Sequence, residues 1–534
     1  MWQTIKSDVL VIGGGMAAAR AAVEAAGKDA SVVLADKSSF EASGTSPVGL
    51  NGLASALGEG SPQILFKDLV EDGYHLNDQN LVWEAANGAA DNIFQLEKLG
   101  FAFQKRGNKY HFAHVIGHSA PYEMIYDRQA SLMNPVAAMG KEAWRRGVKL
   151  CDHIMVTRLI KKGERVIGAV GFSPGGKCFH FAAKAVVLAA GGANHLYSNT
   201  CERINHRNFR TTGDAFSLAF YAGVPLIDLE FANFREGEGH RLARIGARLL
   251  NSRGEKIMER YAPGKLERAP RGKLVEAIAT ENYEGRGPVT WQLPQETKEE
   301  DRERVEYFTR IYGENFQAVI DYQRLLGGAR INHDAETNLK GLMAAGESAG
   351  GFHGADRMQG GSFLETTIFG ARAGAAAAQF AQQASQPRIS TEIIEEELDR
   401  VNKLKGKNQP EAVIEEIRQI MWDKVGVIRE ESNLKEALEL IKSIRTEKVP
   451  SMAREDLFAC FEAQNLALTG EMVIMAALMR QESRGFHRRR DYPDQNDELW
   501  RKHIAIYNRN GNVVLESLPV VTLSQSEKYR LRLE

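Results

Sequence analysis

The sequence predicts an α/β protein in which a Rossmann-like unit opens the chain, a mixed α+β segment interrupts it, and helices follow. Three observations carry that expectation. "DVLVIGGG" (Asp8–Gly15) is a short, almost continuous apolar run ending on glycines, as a buried parallel strand does before a tight turn. "GLMAAGESAGG" (Gly341–Gly351) returns to that style far down the chain. Beyond Pro387, "TEIIEEELDRVNKLKGK", "EAVIEEIRQIMWDKV" and "LKEALELIKSI" set apolar residues at helical spacing.

In order along the chain, "MAAARAAVEAAG" is alanine-rich and helix-forming, and Gly27 suits a C-cap. "ASVVLADK" is the next strand, and "SGTSPVGLNG" reads as a loop. From about Pro62 to Gly147 the pattern is mostly helical, and from Lys149 it turns to β-strands that close on "AVVLAAGG". Residues 226–336 mix strand and helix and are richer in charge and arginine. Near the end, Asn510-Gly511 sits between the alternating runs of "HIAIYNRNGNVVLES", a hairpin signal.

The 534 residues allow about two to four domains. A net charge of -1, from 68 basic and 69 acidic residues, argues for no nucleic-acid or anionic-membrane partner. The four cysteines, Cys151, Cys178, Cys201 and Cys460, are too scattered for a zinc site or a self-contained iron–sulfur cluster, and free thiols in a reducing compartment are expected. No apolar run approaches the roughly 20 residues of a membrane span. With strand-like sequence already at Val9, no secretory leader is expected, and the predicted location is cytoplasmic.

Gly13, Gly15 and Ala18 fit G-x-G-x-x-[G/A] between a strand and a helix. Such a turn brings backbone close to a pyrophosphate and aims a helix N-terminus at its charge. Asp36 ends the second strand, where an acidic residue binds a ribose hydroxyl. A lone glycine triplet is often only a tight turn, but the strand–turn–helix–strand–acid context favours a dinucleotide site. Three later segments, "AKAVVLAAGGANHLY", "TTGDAFSLAFYAG" and "GLMAAGESAGG", resemble recurring elements of FAD-binding oxidoreductases and favour FAD over NAD.

"HGADRMQGGSFLETTIFGARAGAAAA" (His353–Ala378) resembles the flavin-contacting segment of the fumarate reductase/succinate dehydrogenase flavoprotein superfamily, which includes L-aspartate oxidase and adenylylsulfate reductase α subunits. "NSRGEKIMERYAPGKLERAPRGKLVEAIATENYEGRGPV" is similar to its capping-domain signature, and "MWDKVGVIREESNLKEAL" and "ESRGFHRRRDYPDQNDELWRKH" to its C-terminal helical region. The resemblance implies an FAD-binding domain (1–225 and 337–386) interrupted by an α+β capping domain (226–336), then a helical domain (387–500) and a tail with a hairpin (501–534). By position it implies that Gly13, Gly15, Met16, Ala17, Ala18, Asp36, Lys37, Ser43, Gly44, Thr45, Gly49, Leu50, Val156, Ala190, Gly191, Asp214, Glu347, Ser362 and Phe363 line the FAD. "SGTSPVGLNG" lacks the histidine that some members attach to the flavin, so non-covalent FAD is expected, and the loop resembles the adenylylsulfate reductase version.

The resemblance also implies hydride exchange between flavin N5 and a small anionic carboxylate, with Arg271 as proton donor and Arg357 binding carboxylate. Arginine is a poor acid, so that role needs a dry site and a relay. Arg357 suits a bidentate contact. Arg235 stands where dicarboxylate-handling relatives carry a histidine, and is either a third pocket cation or a structural arginine paired with Glu230 or Glu236. Gln323 replaces a second histidine, Gly272 stands where relatives commonly have a carboxylate, and the relay around "HRLARIGARLLN" is not clearly present. Two alternatives therefore stay open: sulfur chemistry like that of adenylylsulfate reductase, or an FAD electron-transfer subunit without its own substrate. No cluster ligands are present, so a separate iron–sulfur subunit is the implied electron partner, through which the chain could sit peripherally on a membrane without entering it.

Overall fold

The opening strand, Trp2–Ile12, is apolar on both faces at Val9–Ile12 because it runs through the middle of a seven-stranded sheet. The computed structural model describes residues 2–49, 52–115, 118–127, 134–200, 211–237, 239–388, 391–403, 408–448 and 457–531. The sheet order is Lys149–Cys151, Val32–Ala35, Trp2–Ile12, Cys178–Leu188, Arg165–Phe172, Met155–Lys162. Its first four strands are parallel, and the last two join antiparallel. Leu342–Ala344 pairs parallel with Val186–Leu188, beyond the part of that strand taken by Arg165–Phe172. The second glycine-closed strand therefore returns to the first, and both turns open on one edge of the same sheet.

The helix Met16–Ala26 follows the first turn and packs under the helix Gly361–Gln383. The two backbones approach closely where side chains are smallest: a Cβ at Gly374 would stand 2.2 Å from Ala21 O. Gly27 does close the first helix, but in ordinary right-handed conformation. What its missing side chain admits is the Arg146 guanidinium, whose Nη1 would lie 2.0 Å from a Cβ there.

Between residues 62 and 147, helices form at Pro62–Asp72, Gln79–Lys98 and Pro135–Arg145, but not throughout. Gly52–Ala54, Phe112–Ala113 and Glu123–Ile125 make a small antiparallel sheet instead. Glycine, proline and aromatic residues between Gly100 and Tyr126 break the helical period there. A separate apolar cluster around Leu242, Leu249, Ile278 and Trp291 fills the segment 239–318. The C-terminal hairpin turns at Asn510 and Gly511, both with positive φ, and its first strand pairs through Ile506 with Leu226. Ile504 and Ile506 are buried, so the hairpin is held by apolar burial in a five-stranded sheet rather than left free-standing. Among the described residues no helix is long and apolar enough to cross a membrane.

Candidate active site

A cleft of about 1450 Å³, open mouth included, lies along the glycine-closed ends of the central strands. Gly13 turns the chain at φ 121°, and a Cβ there would meet Ala189 O at 2.1 Å, so only glycine permits this approach of the two strand ends. Gly13, Gly15, Met16 and Ala17 line the cleft beside the start of the first helix. Ser46 Oγ accepts the Met16 N–H at 3.1 Å, which ties the loop of Ser43, Gly44 and Thr45, also lining, to the helix N-terminus.

Val156, Ala190, Gly191, Asp214, Glu347 and Ser362 complete the expected lining from other segments. Three expected residues do not line the cleft. Ala18 is buried one step further round the helix, Phe363 packs its ring 6.3 Å from that of Phe101, and Gly49 is exposed at the end of the short helix Ser46–Gly49. Leu50 lies outside the described residues.

The polar atoms of the cleft call for a ligand rich in hydroxyl groups. Asp36 Oδ2 and Glu347 Oε2 are buried acceptors without a hydrogen-bond partner, and burial pushes both carboxyls up. Lys37 is not available to a ligand in the same way. Its Nζ lies 2.8 Å from Asp214, Glu462 and Thr212 Oγ1 alike. Burial opposes the Lys37 charge, but the two carboxylates hold its pKa well above the ordinary value. Burial also opposes the Asp214 charge, and Lys37 holds that carboxyl below its usual range. The glycine cradle and the two buried acceptors fit FAD.

Beyond Ser362 the lining becomes cationic. Arg324 donates to Ser362 Oγ at 2.8 Å, and Arg357 Nη1 donates to the same oxygen at 3.3 Å. Arg357 Nη2 reaches Gln323 Oε1 at 3.3 Å, while its Nε is buried with no partner. Burial pulls the Arg357 pKa down to about 9, helped by the charges of Arg271 and Arg324. Arg271 begins the helix Arg271–Tyr283, and its Nε lies 3.1 Å from the fully buried Glu236 carboxylate. Arg271 and Arg357, expected together from sequence, thus act on one another electrostatically.

Arg235 does not join them as a free cation. It pairs with Asp321 through two contacts of 2.7 Å. The two residues are cross-strand partners in the ribbon of Ala232–Arg235 and Asp321–Leu325, which sequence spacing cannot reveal. Glu230 is taken by Arg480 at 2.7 Å. The same ribbon carries a bulge: Asn233 faces Arg324 and Phe234 faces Tyr322, so Gln323 is the extra residue. A bulge re-aims side chains, and here neighbouring Gln323 and Arg324 both reach the site. Arg324 was hidden in "YQRLLGG" because strict alternation would turn it away from Gln323.

Other contributors also escaped the sequence reading. Asp356 is buried and pushed up to about 6 by that burial, against the pull of the Arg357 N–H and of Arg357, Arg271 and Arg488. Glu123 is 1% exposed and pushed up to about 7 by burial, with Gln359 Nε2 at 3.3 Å as its hydrogen-bond donor. His353 Nε2 donates to the Glu365 carboxylate at 3.0 Å, and burial drives the His353 pKa down to about 4 despite that neighbour. Isolated acids and histidines carry no sequence signal that would have drawn them together.

Comparison with known proteins agrees with this geometry. Residues 8–363 match the family model described as FAD binding domain, and residues 414–530 the one described as fumarate reductase flavoprotein C-term. The chain is 33% identical over 536 residues to an uncharacterized FAD-dependent oxidoreductase of Methanocaldococcus jannaschii, covering 94% of this chain and 96% of that protein. It is 31% identical over 539 residues to one of the subunits of the fumarate reductase (CoM/CoB) of Methanothermobacter marburgensis, covering 93% and 96%. The structure of Mycobacterium smegmatis Sdh1 in complex with UQ1 superposes with a TM-score of 0.85 at 26% identity, over 98% of this chain and 95% of that one. The chain therefore belongs to the fumarate reductase/succinate dehydrogenase flavoprotein family and is an FAD-dependent oxidoreductase.

Proposed function

We propose that this flavoprotein exchanges hydride with a small carboxylate substrate, at a carbon–carbon bond next to the carboxylate, using FAD held without a covalent bond. The observation that carries the reading is the half-buried Arg357 guanidinium, whose Nε–H is buried without a partner and on whose charge two other arginines act. A cation in that state gains from a bound anion more than a solvated one does. Bound FAD supplies a two-electron carrier whose exchange partner is the substrate carbon. Arg357 would hold the substrate carboxylate, and Gln323 would orient that arginine from behind. Arg271 would hold the proton on its guanidinium, beside the buried Glu236 carboxylate that stabilises its charge. Arg235, neutralised by Asp321, would support the ribbon rather than touch substrate.

In this reading residues 1–225 and 337–386 form the cofactor domain, 226–336 cap it, and 387–500 with the C-terminal hairpin brace it. The subunit designation of the M. marburgensis relative supports an electron partner on a separate chain, for which an iron–sulfur protein is the proposed class, with the assembly on the cytoplasmic side. Reoxidation of the dithionite-reduced, desalted flavin by fumarate in anaerobic stopped flow tests the proposal. Rapid reoxidation with succinate formed is the expected result. An unchanged reduced flavin in the presence of millimolar fumarate overturns fumarate as substrate.

A further inference from the structure

The helix Arg271–Tyr283 begins after Pro270 with no side-chain cap and no acidic residue in its first turn. Its second residue is Gly272, in helical conformation, so a left-handed backbone does not account for the glycine. The missing side chain leaves space instead. A Cβ at Gly272 would stand 3.0 Å from Asp356 Oδ2. The other oxygen of that carboxylate, Oδ1, accepts the Arg357 N–H at 2.6 Å.

A carboxylate from one loop is thus seated on the first turn of a helix from another segment, where the helix dipole favours it. Arg271 immediately precedes Gly272, and Arg357 immediately follows Asp356. Two guanidiniums held near one another in a half-buried site repel, and a carboxylate seated where their two backbones meet offsets that repulsion. We propose that Asp356 is the positioning residue that sets Arg271 and Arg357 relative to one another, and that Gly272 is glycine to receive its carboxylate. The inference rests on the reading of these two arginines as substrate-handling groups.

The charge environment gives the proposal a pH signature. Arg271 and Glu276 face the site from the capping helix, Arg488 from the C-terminal segment, and Asp68, Asp72 and Tyr74 from the helix Pro62–Asp72 and the turn after it. Asp72 and Asp356 each resist ionisation of the other, so they titrate as a pair. Protonation of the pair as pH falls removes negative charge from the site and leaves the arginines less firmly placed. An anionic substrate then binds more tightly but turns over more slowly.

The test uses the holoenzyme, fumarate as probe and reduced methyl viologen as donor, from pH 5 to 8. Asp356→Asn is expected to lower kcat by about 10- to 100-fold through misplacement of Arg271, without raising KM, and to flatten the pH dependence of KM. The exchange variant Gly272→Asp/Asp356→Asn returns a carboxylate from the helix side and is expected to recover most of kcat. Gly272→Ala crowds the carboxylate without removing it and is expected to shift the same pH limb, which covers the case of an unstable Asp356→Asn. A rise in KM together with the wild-type pH dependence in Asp356→Asn overturns the proposal, as does a folded, flavin-loaded exchange variant with no recovery. Crystal structures of the loaded variants read the arginines without turnover. Displacement of Arg271 and Arg357 in Asp356→Asn, reversed in the exchange variant, supports the proposal even when fumarate proves not to be the substrate, and unmoved arginines refute it.

Discussion

Arg235 and Asp321 face one another across a two-stranded ribbon, with Nε 2.7 Å from Oδ1 and Nη2 2.7 Å from Oδ2. The pair is mostly shielded from water, which makes the loss of one partner costly. Arg235→Met is therefore expected to lower stability by about 2–4 kcal/mol, with fumarate KM changed by less than about threefold. Arg235→Met/Asp321→Leu should regain much of that stability. Thermal melts beside steady-state kinetics check both statements, and a large KM increase with an unchanged melt would return Arg235 to the pocket.

Arg357 is expected to answer differently. Arg357→Lys keeps one charge but loses the planar fork that contacts Ser362 and Gln323. Fumarate KM should rise by about 10- to 100-fold, with a smaller change in kcat. Equal losses in kcat and kcat/KM would instead mean that the fork acts only in the transition state.

The buried oxygen of Asp36 is the group expected to meet the ribose. Asp36→Asn keeps the shape and removes the charge, so FAD should bind about 10- to 100-fold more weakly. Fluorescence titration of apoprotein with FAD measures this directly. Unaltered affinity would mean that Oδ2 finds no cofactor hydroxyl.

Lys37 holds two buried carboxylates, and Lys37→Met strands both. A loss of about 3–5 kcal/mol is expected near pH 7.5. In the wild type, Asp214 is depressed by Lys37, so its stabilising share is present above the ordinary aspartate pKa and fades only as pH falls through the lower folded value. In the variant the Asp214 carboxyl is raised by burial without the Lys37 counter-charge. The deficit should therefore shrink toward pH 5, and a deficit independent of pH would contradict this account.

Glu123 carries the opposite sign. Its folded pKa of about 7 lies above the ordinary glutamate value. Its contribution is fully present below about pH 4.5 and lost as pH rises through 7, a decline of up to about 3 kcal/mol. Glu123→Gln keeps a partner for Gln359 and cannot ionise. The variant should melt above the wild type at pH 8 and close to it at pH 5, as a pair of melting series would register.

The sequence by itself determined the features governed by short-range sterics and periodicity. Gly13 had to turn the strand into the helix because no side chain fits against Ala189, and Asn510-Gly511 had to turn the hairpin because both residues accept positive φ. The alanine-rich helix, the apolar strands and the acid at Asp36 belong to the same class, and with the later glycine segments they made FAD legible. The helical reading of residues 62–147 broke down between Gly100 and Tyr126, where short strands pair instead. Tertiary structure decided which charges meet. Asp321 reaches Arg235 only through strand register, Gln323 and Arg324 share a site only through a bulge, and Asp356 fills the space over Gly272 only because a helix and a distant loop pack together. Those contacts depend on the register and packing of distant segments, and no local pattern of residue types encodes them.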